Sequence, residues 1–268
     1  MKKLSVFAVA FTAMVFAACG GNKGAQNTEA EADSLKSFEQ EQIEASIKVQ
    51  FDSLASEIGK LDQLPFLKEG ADGIQLTDQE KQVKPDYLLD AAVAENATTL
   101  AEKYRMVSAL GVDKKVAAMY DMPYDAYEKA ITKLLADIND PSFKDIQDGS
   151  TIYETTQTLY DAMQENGRIN YFWQLVSASL VEELYVMSQN TEKFLSVFND
   201  DAVANVTFRI ILLQDALERL TEYDPELAPV AEAISPLTVL NATSVNELKT
   251  QLGDAKEKIA EARKALVK

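Results

Sequence analysis

The residues best placed to do chemistry are acids inside an apolar run. Glu182 and Glu183 sit in the stretch from Ile169 to Met187, beside Leu180, Val181, Leu184 and Tyr185. Adjacent helical residues point about 100° apart, so two neighbouring carboxylates cannot both reach solvent from a central helix. A buried carboxylate either takes up a proton or finds a cation. Arg209, inside Phe208-Arg209-Ile210-Ile211, is the natural candidate cation. Glu182, Glu183 and Arg209, with Trp173 and Tyr185 nearby in sequence, therefore define either a buried ion pair or the lining of a pocket. Asp137-x-Asn139-x-Pro141 begins like a calcium loop, but its fifth and sixth positions do not fit one. Tyr120, Tyr124 and Tyr127, with Met119 and Met122, rim a pocket or fill the core.

Other chemistry is excluded by composition. There is no His, which removes imidazole-activated nucleophiles and His-ligated zinc. No GxSxG, phosphate-binding loop or GxGxxG sequence occurs. The residue types predict no catalytic residue, no cofactor and no metal. A net charge of −17 disfavours nucleic acid, whose phosphates need clustered Lys and Arg. A carboxylate-based glycan hydrolase remains an alternative, because acids are abundant.

The elements that must position these residues read as helices throughout. The chain has 268 residues, 47 % of them hydrophobic, with only 10 Gly and 7 Pro, a composition suited to long helices rather than short strands and turns. Ile47, Phe51, Leu54, Ile58 and Leu61 form one helical stripe. Asp62 to Lys84 reads as irregular. Pro85 opens a helix whose inner face is Leu88, Leu89, Ala92, Val93, Leu100, Tyr104, Val107 and Leu110 and which Gly111 closes, followed by a short helix with Val116, Met119 and Tyr120. Pro123 opens the next, with Tyr127, Ile131, Leu134, Leu135 and Ile138 inward. Thr151-x-x-Glu154 caps another, ended by Asn166-Gly167. Ile169–Met187 is apolar on most faces, which marks a central helix. The run from Val203 to Leu220 makes a second buried helix, and Ser244-x-x-Glu247 caps a last one with Leu248, Leu252, Ala255, Ile259, Ala262 and Leu266 inward. No window alternates with period two. The fold class is all-α: one multi-helix bundle of about eight helices spanning residues 34–268.

The N-terminus has its own logic. Lys2 and Lys3 precede an apolar run from Leu4 to Ala18, shorter than a membrane span, as in a secretory signal. The run ends in Phe16-Ala17-Ala18-Cys19-Gly20, which resembles the lipobox of bacterial lipoproteins. That resemblance implies cleavage of residues 1–18 and acylation of Cys19, the chain's one Cys. Cleavage removes two lysines and no acid, so the charge becomes −19. Residues 19–33 carry no large apolar side chain and read as a flexible tether. Gly20 stands where an Asp would resemble an inner-membrane retention signal, and no acid occurs before Glu29, where an earlier one would resemble a surface-export signal. The expected location is the periplasmic face of the outer membrane. Asp33-Ser34-Leu35 resembles the O-glycosylation pattern of Bacteroidota, as does Asp52-Ser53-Leu54, although Asp33 or Ser34 equally suits a helix N-cap.

A second pattern covers roughly residues 85–200. Leu100…Tyr104…Ser108-Ala109-Leu110-Gly111-Val112, followed by Leu180-Val181-Glu182-Glu183-Leu184-Tyr185, resembles a group of all-helical Bacteroidota lipoproteins with no assigned activity. It implies fold and compartment only. The expected function is a non-enzymatic binding or scaffold role in an outer-membrane complex, with an envelope protein as partner. The alternatives are a periplasmic carrier of a small ligand between helices and the glycan hydrolase.

Overall fold

The computed structural model describes residues 64–143 and 156–267, apart from 69, 71 and 72, together with the helical positions 40–43, 45, 46 and 49. The lipobox, the tether, Ser34, Ser53, the Ile47–Leu61 stripe and the Thr151 capping sequence lie outside the described residues. Helices make up the architecture, and no strand occurs among the described residues. Eight α-helices there have seven or more residues: α1 (Leu100–Met119), α2 (Asp125–Ile138), α3 (Thr156–Glu165), α4 (Ile169–Gln189), α5 (Asp200–Leu220), α6 (Ala228–Ile234), α7 (Val245–Asp254) and α8 (Lys256–Leu266). The fold is the all-α bundle that the periodicity predicts.

The centre is α4. Of its 21 residues, 17 are buried, which leaves almost no face for water. It packs most extensively on α1, then on α8, and also meets α3, α5, α6 and α7. Its N-terminal half carries a block of crossed rings. Trp173 meets Phe172 edge-on at 5.2 Å and Tyr160 of α3 at 6.2 Å, an arrangement that aligns ring edges with ring faces.

Several boundaries differ from the sequence expectation, each for a local reason. Pro85 does not open α1. Residues 91–96 form a 3₁₀ turn, and α1 begins after Thr99, whose hydroxyl accepts from the Glu102 amide while Glu102 accepts from the Thr99 amide at 2.8 Å. This reciprocal cap fixes the start more strongly than a proline's preset φ does. Gly111 does not end the helix either. α1 continues to Met119, because Val112, Val116 and Ala117 extend its buried face at a cost of only about 1 kcal/mol for one glycine. Space for a Cβ at Gly111 is open, with no atom within 4 Å. Gly111→Ala is therefore expected to stabilise the protein by about 0.5–1 kcal/mol, read as a higher urea midpoint.

Gly167 has the opposite role. It sits at φ +65 just past α3, with its amide on the Gln164 carbonyl and the Arg168 amide on the Met163 carbonyl. Those two bonds satisfy carbonyls left open at the helix end, and a left-handed residue is needed to make them. Gly167→Ala should lower stability by about 1 kcal/mol in the same assay.

Two further differences lie in the stretch before α1 and in the last helix. A Thr77–Glu80 capping box builds the short helix Asp78–Gln82 inside the stretch read as irregular. The last helix is two, α7 and α8, broken at Ala255 with φ −93 and ψ 3. Gly253, a poor helix former, lies two residues before the break. All six seam residues, Leu248 to Leu266, are nonetheless buried. Finally, α5 is not enclosed. Val203, Val206, Ile210, Leu213, Leu217 and Leu220 face inward, but Ile211 is 57 % exposed.

Candidate functional site

Charged side chains meet in the core where α1, α4 and α8 come together. Glu182 of α4 and Asp113 of α1 are both completely buried. Arg263 of α8 reaches them from the seam's edge. Its Nε donates to Glu182 Oε2 at 2.8 Å and its Nη2 to Glu182 Oε1 at 2.6 Å, a two-pronged pair. Nη2 also lies 3.6 Å from Asp113 Oδ2. Nη1 donates to the Tyr87 carbonyl at 3.0 Å, and the guanidinium stacks 3.9 Å from the Tyr185 ring centre. Asp113 Oδ2 accepts from the Leu89 amide at 2.7 Å, and Tyr127 Oη donates to the Leu89 carbonyl at 2.7 Å. The loop through residues 87–89 is thus tied to the cluster at two points and to Tyr127 at a third.

The electrostatics follow from the count of charges. Two buried carboxyls share one guanidinium. Loss of hydration pushes Asp113 well above the usual carboxylate range, and the neighbouring Glu182 charge pushes it further. Glu182 is also raised by burial, but Arg263 offsets much of that. Asp113 Oδ1 has no hydrogen-bond partner, and Arg263 reaches Asp113 only at 3.6 Å, so Asp113 is the less compensated of the two buried acids. Burial works against the charge of Arg263, and its bonds to Glu182 overcome that and raise it. This arrangement ties α1, α4 and α8 together through buried charges. A glycosidase pair instead needs carboxyls about 5–9 Å apart with a sugar between them.

The neighbouring acid forms a second pair. Glu183 Oε2 lies 3.1 Å from Arg209 Nη1, and both side chains are buried. Burial pushes Glu183 up to about 7 even though Arg209 pulls it down, and Glu183 Oε1 has no hydrogen-bond partner. Adjacent acids on α4 therefore take different cations, Glu183 the Arg209 named by the sequence and Glu182 the Arg263 that sequence reasoning missed. Asp113 was missed too. A visible signal for it was a charged residue inside the apolar run of α1, after Val112. Arg105, in the same helix, is another: its Nε donates to the Leu266 carbonyl at 2.9 Å and its Nη1 to Gln174 at 2.7 Å.

The remaining residues singled out by sequence are dispersed. Trp173 belongs to the ring block, whereas Tyr185 lies over Arg263, twelve residues or about 18 Å further along the same helix. Trp173, Tyr185 and Arg209 do not line one small pocket. Tyr120 and Tyr127 are buried in the core, while Tyr124 is 39 % exposed. Asn139 caps α2 in the left-handed region, at φ 48. No group of three or more acids, Cys or His fit to hold a metal occurs among the described residues. An open surface groove of about 400 Å³ is lined by Asp78, Lys81, Gln82, Lys84 and Asp121. Its cations are engaged locally, Lys81 with Asp121 at 2.9 Å and Lys84 with the Tyr120 carbonyl at the end of α1.

No protein-family model, curated protein or solved structure matches the chain. No helix among the described residues is long and apolar enough to cross a membrane.

Proposed function

We propose that this is a lipid-anchored protein of the cell envelope, held at the periplasmic face of the outer membrane, whose helical body binds another envelope protein and has no catalytic role. The observation that carries the reading is Phe16-Ala17-Ala18-Cys19 at the end of a short apolar run, followed by a tether and then the bundle. The buried charges support it from another direction. Glu182, Glu183, Asp113, Arg263 and Arg209 bond to one another and to backbone, an arrangement that fixes helices rather than presents reactive groups. A body of charge −19 would attract a basic partner, with salt-sensitive association.

The anchor is tested by mass and fractionation. Protein from native membranes is expected to begin at Cys19 and carry acyl chains, and Cys19→Ala is expected to leave the membrane pellet. Each acyl CH₂ contributes about 0.8 kcal/mol of membrane binding, so the shift should be nearly complete. An unmodified thiol at Cys19 in membrane-derived protein would contradict the reading.

A further inference from the structure

The outer face of α5 has an apolar pattern that the bundle covers only in part: Phe208 packs partly against the core, and Ala204 and Ile211 stay exposed. Inward, α5 presents Val203, Val206, Ile210, Leu213, Leu217 and Leu220, stepping by 3 and 4. Outward it presents a second stripe with the same stepping: Asp201, Ala204, Phe208, Ile211, Asp215 and Glu218. Two such stripes on one helix suit packing against helices on both sides. Ala204 is exposed, Ile211 is 57 % exposed, and Phe208 is half-buried. Val239, 44 % exposed, comes from the segment that Thr207 pins alongside, its hydroxyl donating to the Ala242 carbonyl at 2.9 Å. The apolar stretch from Ala204 to Ile211 is about 10 Å long. Acids bracket it at both ends, Asp200 and Asp201 before it, Asp215 and Glu218 after it. The one base on this stretch of the helix surface, Arg219, is bonded to Asp215 at 2.9 Å.

We infer that this face is where the binding partner docks, and that the partner presents an amphipathic helix with two or three large apolar residues flanked on both sides by Lys or Arg. The inference rests on the binding-protein reading above and names its surface. Charge selects the occupant. A second copy would set acid against acid, both locally and across two strongly negative bodies. A basic helix places its cations over Asp201, Asp215 and Glu218 while its apolar residues cover Ile211 and Phe208.

The test is site-specific photocrosslinking of the full-length lipoprotein in its native membrane, with the probe at Ile211 or at Val83, which is 75 % exposed and off this face. A probe at 211, and not at 83, is expected to give a heterologous adduct whose crosslinked peptide is a Lys/Arg-rich amphipathic helix. D215K/E218K should reduce that adduct at least tenfold while circular dichroism and the urea midpoint stay near those of the parent. An adduct between two copies, an acidic or non-helical crosslinked peptide, an adduct indifferent to charge reversal, or no adduct at 211 would each overturn the inference. If native purification still yields a stoichiometric partner that Ile211→Asp does not release, this surface is wrong and the binding reading stands. If it yields no partner, the binding reading itself has failed.

Discussion

Arg263→Met is expected to destabilise the body by about 3–5 kcal/mol, among the largest effects a single substitution can have here. Removing the guanidinium leaves Glu182 completely buried without its two-pronged partner. It also strips a donor from the Tyr87 carbonyl and a cation from the Tyr185 ring. The reference is Arg219→Met, which breaks an exposed i,i+4 pair with Asp215 and should cost less than about 0.5 kcal/mol. The decisive comparison is the double variant Glu182→Met/Arg263→Met. It replaces both partners with apolar groups, and a buried pair exchanged as a pair is often neutral. Urea denaturation should show the double variant recovering most of the loss. A double variant as unstable as the single one would mean that Arg263 acts by packing alone.

The second expectation is a stability maximum in mild acid, with a decline as pH rises from 5 to 8. Glu183 contributes to it in a defined window. Burial lifts it from 4.5 to about 7 in the folded protein. A carboxyl raised on folding contributes its full stability below its unfolded pKa and loses it as pH climbs to the folded value. For Glu183 that window is pH 4.5–7, and the loss is about 3 kcal/mol at roughly 1.4 kcal/mol per unit. Asp113 and Glu182 are raised as well and slope the same way. On the acid side, Glu102 is held down to about 2 by the Thr99 amide of its capping box, and its contribution fades as pH falls below 4.5. The measurement is the urea midpoint from pH 4 to 9, at low salt and at 1 M salt. Salt screens repulsion among exposed acids but scarcely touches buried ones, so the slope should survive it. Glu183→Gln should reduce the slope between pH 4.5 and 7, leaving the part that Asp113 and Glu182 supply. A midpoint that rises from pH 5 to 7 would contradict the assignment.

Much of the fold was legible because helices announce themselves by period. The continuous apolar run of Ile169–Met187 marked α4 as central, and 17 buried residues place it there. The seam Leu248–Leu266 was readable even across the break at Ala255, since burial follows spacing and tolerates a kink. Boundaries were less readable. Gly111 looks like a stop by type, but a single glycine costs less than the burial gained by continuing through Val116. α5 looked enclosed because a 3,4 stripe on its outer face reads the same as one on its inner face. Only packing tells Ile210 from Ile211.

The site was half legible for a related reason. Sequence shows where a charge falls inside an apolar run, as at Glu182, Glu183 and Arg209. It does not show which distant cation comes to meet it. Arg263 lies 81 residues from Glu182, at the flank of a seam where an Arg ordinarily snorkels to solvent. Its inward turn depends on α8 crossing α4 at Glu182. Asp113 was hidden by the opposite effect, one acid among many whose ordinary place is the surface.

The claim that most needs a direct measurement is that this protein acts by holding a partner at the membrane. The intact protein should be affinity-purified from native membranes beside a Cys19→Ala control, with mass spectrometry of both proteins and small molecules in the eluate. The account predicts a stoichiometric, salt-sensitive protein partner that disappears with the anchor. A clean monomer carrying a bound small molecule would contradict it and make the bundle a carrier.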